Sequence, residues 1–395
     1  MPADVTRPQN IGVINPFALV EMKLHQQLDW RRIADPSRLI EQTLNVEYSK
    51  LFDPQFASPL YPHLRFDPGK RELVRDAKVP SLRELHSSLL GPVRKLPGLG
   101  PMQQWARPSG SHFFTDPADF TDPVQGAIPD CHFIAALASL AWAKPYSIQQ
   151  RTRPIAASDS FESGSGIDMV PFFAAPGAAP DDVEVTEFLP LMEPGDGYIY
   201  GRCDDLKETW PAVYEKAWVK WVTKDTGDHP DYSKIGGGDP IFDLMTLTGL
   251  NQHYEPTQGV TGDHIWNTVR SHSAGSWTFD PMCAWTYASA AEAPTPINYA
   301  SANLVAWHVY SILGWQYDSV ARQQYIVLRN PWGNTEATLN VDNAPWFSVE
   351  QVPFFLNEKF GEGPLVRSLT LPGHGIFALR ADTFQQYFKG YGWVG

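Results

Sequence analysis

Residues 122–143 read Asp-Pro-Val-Gln-Gly-Ala-Ile-Pro-Asp-Cys-His-Phe-Ile-Ala-Ala-Leu-Ala-Ser-Leu-Ala-Trp-Ala, and the rest of the chain is best read outward from them. Prolines at 123 and 129 keep the first part of this stretch irregular. From Cys131 onward the run of Ala, Leu and Phe is a buried-helix composition, with Asp130 as an N-cap candidate directly in front of it. Small residues at 135, 136, 138 and 139 allow close packing against neighbours. Cys131 therefore falls in the first helical turn, facing unpaired backbone N–H groups and the positive end of the helix dipole. Both favour the thiolate, which is the form a nucleophile needs. An isolated cysteine more often merely packs, so this position does not decide the matter alone. Cys203 and Cys283 have no such setting and read as packing residues.

Two further residues belong to the same chemistry. His308 lies within Leu304–Leu313, a continuous β-rich run, and Asn330 follows the short run Tyr325–Leu328. Two neighbouring strands joined by a loop of this length pair antiparallel, which brings His308 and Asn330 side by side. Asn330 then accepts from one imidazole nitrogen and leaves the other to face a thiolate, the Cys–His–Asn logic in which the third residue orients the base. Trp332 is placed to shield that bond from water. Gln125, six residues before Cys131, offers an amide donor which, with the backbone N–H of Cys131, makes an oxyanion hole. His132 reads as a helix-face residue rather than a participant.

Around this centre the chain is helix-rich first and strand-rich second, an α+β order. Phe17–Ile33 and the stretch from Ser37 read as helices, and 51–100 is proline-rich and aperiodic. Trp210, Val213, Tyr214, Ala217, Trp218 and Trp221 form one helix face, with Glu215, Lys216 and Lys220 on the other. Glycines 236–238 are a hinge candidate. Gly375–Leu379 reads as a last strand and Ala381–Phe388 as a closing helix. The expected organisation is a helical extension over 1–50, a helix-rich unit carrying the cysteine over 51–235 and a strand-rich unit carrying the histidine and asparagine over 236–395.

Composition removes several function classes. At 395 residues, the chain has length for two to three units of ~150 residues. Its net charge of −13 argues against a phosphate-backbone footprint, and thus against nucleic acid as a partner. With 43% hydrophobic residues, disorder of the whole chain is excluded. The longest apolar run, Phe133–Ala143, falls far short of the ~20 residues that span a bilayer, so no membrane partner is expected. Three cysteines are too few for a disulfide scaffold, and the first residues lack a basic-then-apolar leader, which makes cytoplasmic residence the expectation.

Three segments in order give the sequence a family resemblance. Asp-Pro-Val-Gln-Gly-Ala-Ile-Pro-Asp-Cys-His-Phe-Ile-Ala-Ala (122–136), Ala-Trp-His-Val-Tyr-Ser-Ile (306–312) and Leu-Arg-Asn-Pro-Trp-Gly-Asn-Thr-Glu (328–336) resemble the nucleophile, histidine and asparagine motifs of the calpains. Weaker echoes are Trp105-Ala-Arg-Pro, Glu208-Thr-Trp-Pro-Ala-Val-Tyr-Glu-Lys-Ala, Gly236-Gly-Gly-Asp and Gly375-Ile-Phe-Ala-Leu-Arg. The resemblance covers about 105–395 and leaves 1–50 aside. It implies a two-lobe papain-like cysteine protease core, with a helical N-terminal lobe and an antiparallel β C-terminal lobe. It also implies Cys131 as nucleophile, His308 as general acid/base, Asn330 as orienter and Gln125 in the oxyanion hole.

The sequence departs from the family at Pro129, His132 and Trp307, where calpains carry Gly, Trp and Gly. These positions bear on the walls of a cleft and leave the four chemical positions intact. The expected function is cysteine endopeptidase action on protein or peptide substrates through an acyl-enzyme. The alternatives are acyl transfer on the same fold or a calpain-fold binding module without turnover. No cofactor is required for that chemistry. Calpain cores bind two calcium ions, and the resemblance places Asp122 and Glu208 at the first site. At the second, Glu336 matches, whereas His374 and Ile376 stand where the family has acids. Residues 1–50 either pack on the helix-rich unit or occupy the cleft as a built-in inhibitor.

Overall fold

The computed structural model describes residues 104–333 and 374–395, with short breaks at 157–158, 160, 162–165, 193–196, 300–301 and 319–321. It also describes residues 7–8, 10–15 and 18 and the backbone of two hairpins, Leu64–Asp67 with Glu72–Arg75 and Gln351–Leu356 with Leu365–Thr370. The helices expected over 17–33 and after Ser37, the remainder of 51–100, and Glu336 lie outside the described residues.

The apolar run after Asp130 forms helix α1 (Cys131–Ala143), and all 13 of its residues are buried. A hairpin follows, β1 (Ile167–Phe173) with β2 (Pro180–Val185), then α2 (Trp210–Thr223) and α3 (Pro240–Thr248). Asp239 caps α3 by accepting from the N–H groups of Ile241 and Phe242, and Pro240 occupies the first helical position. The later part of the chain supplies β3 (Gln252–Pro256), α4 (Gly262–Ser271), β4 (Trp277–Thr286), β5 (Val309–Asp318), β6 (Gln323–Arg329), β7 (Ile376–Arg380), α5 (Ala381–Tyr387) and β8 (Phe388–Val394). These strands build one antiparallel sheet in the order β3-β8-β4-β5-β6-β7. The protein is thus a mixed α and β structure with antiparallel sheets.

Helix α1 lies on β4 and β5, and its few polar atoms pin it there. Ser139 Oγ donates to Met282 O at 2.9 Å and accepts from Met282 N at 2.7 Å. Trp142 Nε1 donates to Leu313 O, and Ser311 Oγ donates to Ala135 O, both at 2.7 Å. Each of these groups is buried, so losing one partner would leave a desolvated polar atom. The pins therefore fix the helix against the sheet in both rotation and translation, and they fix Cys131 with it.

Four expectations need correcting. The strand read as 304–313 begins only at Val309, because Trp307 takes φ 54°, a left-handed turn residue that breaks the ladder just ahead of His308. Asp130 makes no capping hydrogen bond; its carboxyl is buried against that of Glu215 instead. Glu215, Lys216 and Lys220, expected on the polar face of α2, are all buried, since β1, β2, residues 184–188 and Gly201 lie on that side and supply partners. Finally, the chain does not close on a helix. After Tyr387 it turns into β8, whose alternation is broken by Gly390 and Gly392 and which pairs with both β3 and β4.

Candidate active site

His308 is held from both sides of its backbone. Its N–H donates to Thr286 Oγ1 at 3.0 Å and its carbonyl accepts from Thr286 N at 3.0 Å. The preceding Trp307 N–H donates to Tyr287 O at 2.8 Å, which stabilises the left-handed residue. With the backbone fixed this way, the imidazole Nε2 lies 2.8 Å from Asn330 Oδ1. The amide orientation is decided by a second contact: the Trp332 N–H, which can only donate, points at the same Oδ1 at 3.1 Å. Oδ1 is therefore an acceptor, Nε2 carries the proton, and the Nδ1 lone pair is left over. Nδ1 is buried and makes no hydrogen bond to the described residues. The Trp332 ring covers the imidazole at 4.9 Å between centroids, as expected of a shield. Burial drops the His308 pKa to about 4, with the Asn330 bond opposing that shift, so the ring is neutral at physiological pH.

Cys131 stands at the first position of α1, fully buried. Burial pushes its thiol up to about 12; the N–H groups of Val13 and Val309 point at the sulfur and work the other way, and Asp130 adds to the rise. Val309 is the residue after His308, so cysteine and histidine are neighbours here, although Nδ1 and the thiol are not hydrogen-bonded. Such contacts often tighten only when substrate is bound. The resting pair is a neutral thiol beside a neutral imidazole.

Gln125 is also brought to this site, with its donors spent. Nε2 gives one proton to Val13 O at 2.5 Å and the other to Ile128 O at 2.7 Å. In this arrangement the amide donates to an N-terminal carbonyl rather than standing open toward a substrate. Its backbone N–H donates to Pro331 O at 2.9 Å, which ties the loop before Cys131 to the turn that carries Asn330. Arg329, fully buried at the end of β6, adds a second tie through Nη2 to Thr121 O at 2.8 Å. Burial lowers the Arg329 pKa to about 10, still well above neutral, so the cation persists beside Asp204, Asp119 and Asp122.

A buried acidic floor underlies the nucleophile turn. Burial raises both Asp130 and Glu215, and the mutual repulsion of the two carboxylates adds to the rise at Glu215. His132, read from sequence as a helix-face residue, is instead buried, with Nδ1 at 2.5 Å from Asp243 Oδ2 and the ring edge-on to Trp218. Burial alone would lower its pKa; the Asp243 carboxylate outweighs that and holds it above the usual value. Sequence gave no signal for this pair, because Asp243 is remote along the chain and ordinary in its own context. The N-terminal residues at the sulfur were equally hidden, since they act through backbone atoms.

A cysteine at a helix start, a histidine whose tautomer an asparagine fixes, and a glutamine on the preceding loop are together the arrangement implied by the sequence motifs. Independently, the sequence model for calpain family cysteine proteases matches residues 85–351. The chain belongs to the calpain family. Among its relatives are a thiol protease of Porphyromonas gingivalis, 23% identical over 287 residues, which cover 67% of this chain and 53% of that protein. Calpain-13 of Rattus norvegicus is 28% identical over 246 residues, 60% of this chain and 33% of the relative. The calpain-1 catalytic subunit of Macaca fascicularis is 26% identical over 257 residues, 62% and 33% respectively. The chain thus spans about half the length of the first relative and about a third of the other two.

The calpain resemblance also concerns calcium. Asp122, Cys203 and Glu208 each bring a donor atom within 4.8 Å of the others, all buried. Burial raises the Asp122 pKa to about 7, with the Asp119 N–H and Trp210 Nε1 bonds opposing the rise. The two carboxylates are hard oxygen donors of the kind calcium takes. Cys203, which sequence left as a packing residue, adds a soft thiol that burial keeps protonated and that leans on Glu208 Oε2 at 3.6 Å. Glu208 Oε1 is occupied by Thr115 N, Thr115 Oγ1 and Asp116 N. Asp122 and the second Glu208 oxygen are therefore the groups that fit a hard cation. At the second position, His374 Nδ1 lies 3.1 Å from Asp204 Oδ2, and Ile376 is a buried residue opening β7.

Proposed function

We propose that this calpain-family chain is a cysteine endopeptidase that hydrolyses peptide bonds of protein substrates through an acyl-enzyme. The observation that carries the reading is the His308 tautomer. With Nε2–H committed to Asn330, Nδ1 is left as the basic nitrogen, and Cys131 is met by the N–H of the very next residue, Val309, which suits Nδ1 to take the thiol proton. The thiolate then attacks the substrate carbonyl carbon, and the Cys131 backbone N–H with the Gln125 amide receives the oxyanion. Imidazolium returns its proton to the leaving amine, and water completes hydrolysis by the reverse route. Asn330 holds the ring in register through both steps.

In this reading residues 51–235 and 236–395 are the two lobes of a papain-like core, with Gly236–Gly238 between them. Protein or peptide is the substrate and the cytoplasm the location; among the described residues no helix is long and apolar enough to cross a membrane. The test is digestion of an unfolded protein such as casein, with products sequenced by mass spectrometry. His308→Ala should lower the rate by about 10²–10⁴, the usual contribution of a general base. Equal and measurable product from parent and variant would remove His308 from the chemistry.

The chemistry itself calls on no cofactor. Calcium, where it binds, would be held by Asp122 and Glu208 and would neutralise a buried acidic pair; this too is a proposal. Because the Asp122 pKa stands at about 7 against 3.8 for the free group, the folded site is protonated below neutrality and a cation must displace that proton. The calcium-induced rise in Tm should therefore be larger at pH 8 than at pH 6. It should vanish in Asp122→Asn. A shift of equal size at both pH values, or one that survives the substitution, would place calcium elsewhere.

A further inference from the structure

The segment Asn10–Asn15 (Asn-Ile-Gly-Val-Ile-Asn) lies across the nucleophile, and nearly all of its polar contacts are made by backbone. Ile11 pairs with Gly238 in both directions, Ile11 N to Gly238 O at 3.0 Å and Gly238 N to Ile11 O at 2.9 Å, an antiparallel bridge. Val13 directs its N–H at the Cys131 sulfur and its carbonyl accepts from Gln125 Nε2. Asn15 N donates to Gly126 O at 3.3 Å, and Asn15 Nδ2 donates to Gln125 O at 2.7 Å. One edge of this extended strand thus rests on the glycine run 236–238 and the other on the loop that leads into Cys131.

The fit is close. A Cβ on Gly12 would come 2.2 Å from Pro129 O and 2.7 Å from Gly237 Cα, and a Cβ on Gly237 would come 2.2 Å from Asn10 O. Ile11 and Ile14 are buried at either side of the passage, and Arg7 stacks over the Tyr254 ring at 5.0 Å further back. An extended peptide held through backbone pairing, with its amide atoms at the sulfur and at the glutamine amide, takes the place an incoming substrate needs.

We propose that residues 10–15 form a substrate-like strap that occupies the peptide groove over Cys131, so that the resting protein is latent until the strap leaves. This rests on the endopeptidase reading for what the groove is for. The strap is not poised for attack on itself, because the sulfur meets the Val13 N–H, which is no electrophile. The raised thiol and the neutral imidazole are what a covered, fully buried site produces, and both relax once solvent or substrate replaces the strap. The groove then accepts an extended peptide with an aliphatic residue opposite Gly238 and a small residue beside Pro129.

The experiment uses the full chain carrying Gly12→Leu, whose side chain has no room in the seated strap. Labelling by iodoacetamide at neutral pH is followed at each cysteine by peptide mass mapping. Cys131 should gain at least about tenfold in rate over the unaltered chain, since exposed thiolate is the reactive form, while buried Cys203 and Cys283 stay as they were. The synthetic peptide Asn-Ile-Gly-Val-Ile-Asn, added at millimolar concentration, should return Cys131 to the slow rate. An unchanged Cys131, a parallel rise at all three thiols, or labelling indifferent to the peptide overturns the proposal. A parallel rise would mean that the segment is part of the packing and not a releasable cover. Labelling needs no turnover: a selective gain at Cys131 without peptide hydrolysis supports the strap and sinks the endopeptidase reading.

Discussion

Cys131→Ala is expected to abolish cleavage of an unfolded protein, by about 10⁴- to 10⁶-fold, the scale seen when the nucleophile of a covalent protease is removed. The comparison is cleanest on the Gly12→Leu chain, where the strap does not mask the parent activity. The sulfur is the only group at the start of α1 that can form the acyl bond, and the pins from Ser139, Trp142 and Ser311 hold that start whether or not the sulfur is present. Loss of activity with an unaltered Tm is therefore the expected pair of results. Persistent cleavage would place the hydrolysis outside this site. Mass spectrometry of the parent's products, with and without an added amine, separates hydrolysis from acyl transfer, since the same thioester yields an amide when an amine captures it. A chain that cleaves nothing in either form would be the binding module that the family motifs also permit.

The second large effect concerns stability. Lys216 is fully buried in α2, with Nζ 2.9 Å from Asp228 Oδ1, 2.9 Å from Thr186 O and 2.8 Å from Phe188 O. Lys216→Ala removes the paired cation and leaves the nearly buried Asp228 carboxylate with its Thr186 bonds and the more distant charge of Lys220. Breaking one partner of such a pair costs about 3–5 kcal/mol, because an uncompensated charge stays in the interior. Denaturant unfolding should show that loss as a lower midpoint at unchanged slope. Lys216→Met with Asp228→Asn should recover a good part of it, since both charges then go together. A single variant within about 1 kcal/mol of the parent would show that water reaches the pair.

Both effects depend on residues that differ in how plainly the sequence announced them. The apolar run after Asp130 and the 210–221 periodicity are local signals, and α1 and α2 form within a residue or two of where they were read. The antiparallel pairing of the strands around His308 and Asn330 followed from loop length and composition, and it juxtaposes the two side chains. What escaped was set by tertiary context. Lys216 sits on what a helical wheel calls the polar face, and only the 184–188 segment folded over it makes that face interior. The β-rich run 304–308 leaves the sheet because Trp307 adopts a conformation that side-chain propensity does not encode. β8 is glycine-punctuated and weak as a local pattern, yet it fills the place between β3 and β4. The strap was hardest to read, since six residues that act through amide groups leave almost no trace in side-chain type.

The two ties that flank Asn330, Pro331 O to the Gln125 N–H and Arg329 Nη2 to Thr121 O, have a mechanical meaning. They rivet the turn that steers the imidazole to the loop that feeds the sulfur. Thermal jostling or an engineered hinge then displaces steering turn and feeding loop as one rigid cassette, and the reactive geometry survives the trip. On/off behaviour in this molecule is thereby pushed away from reshuffling its reagents and onto whatever admits or bars the incoming chain.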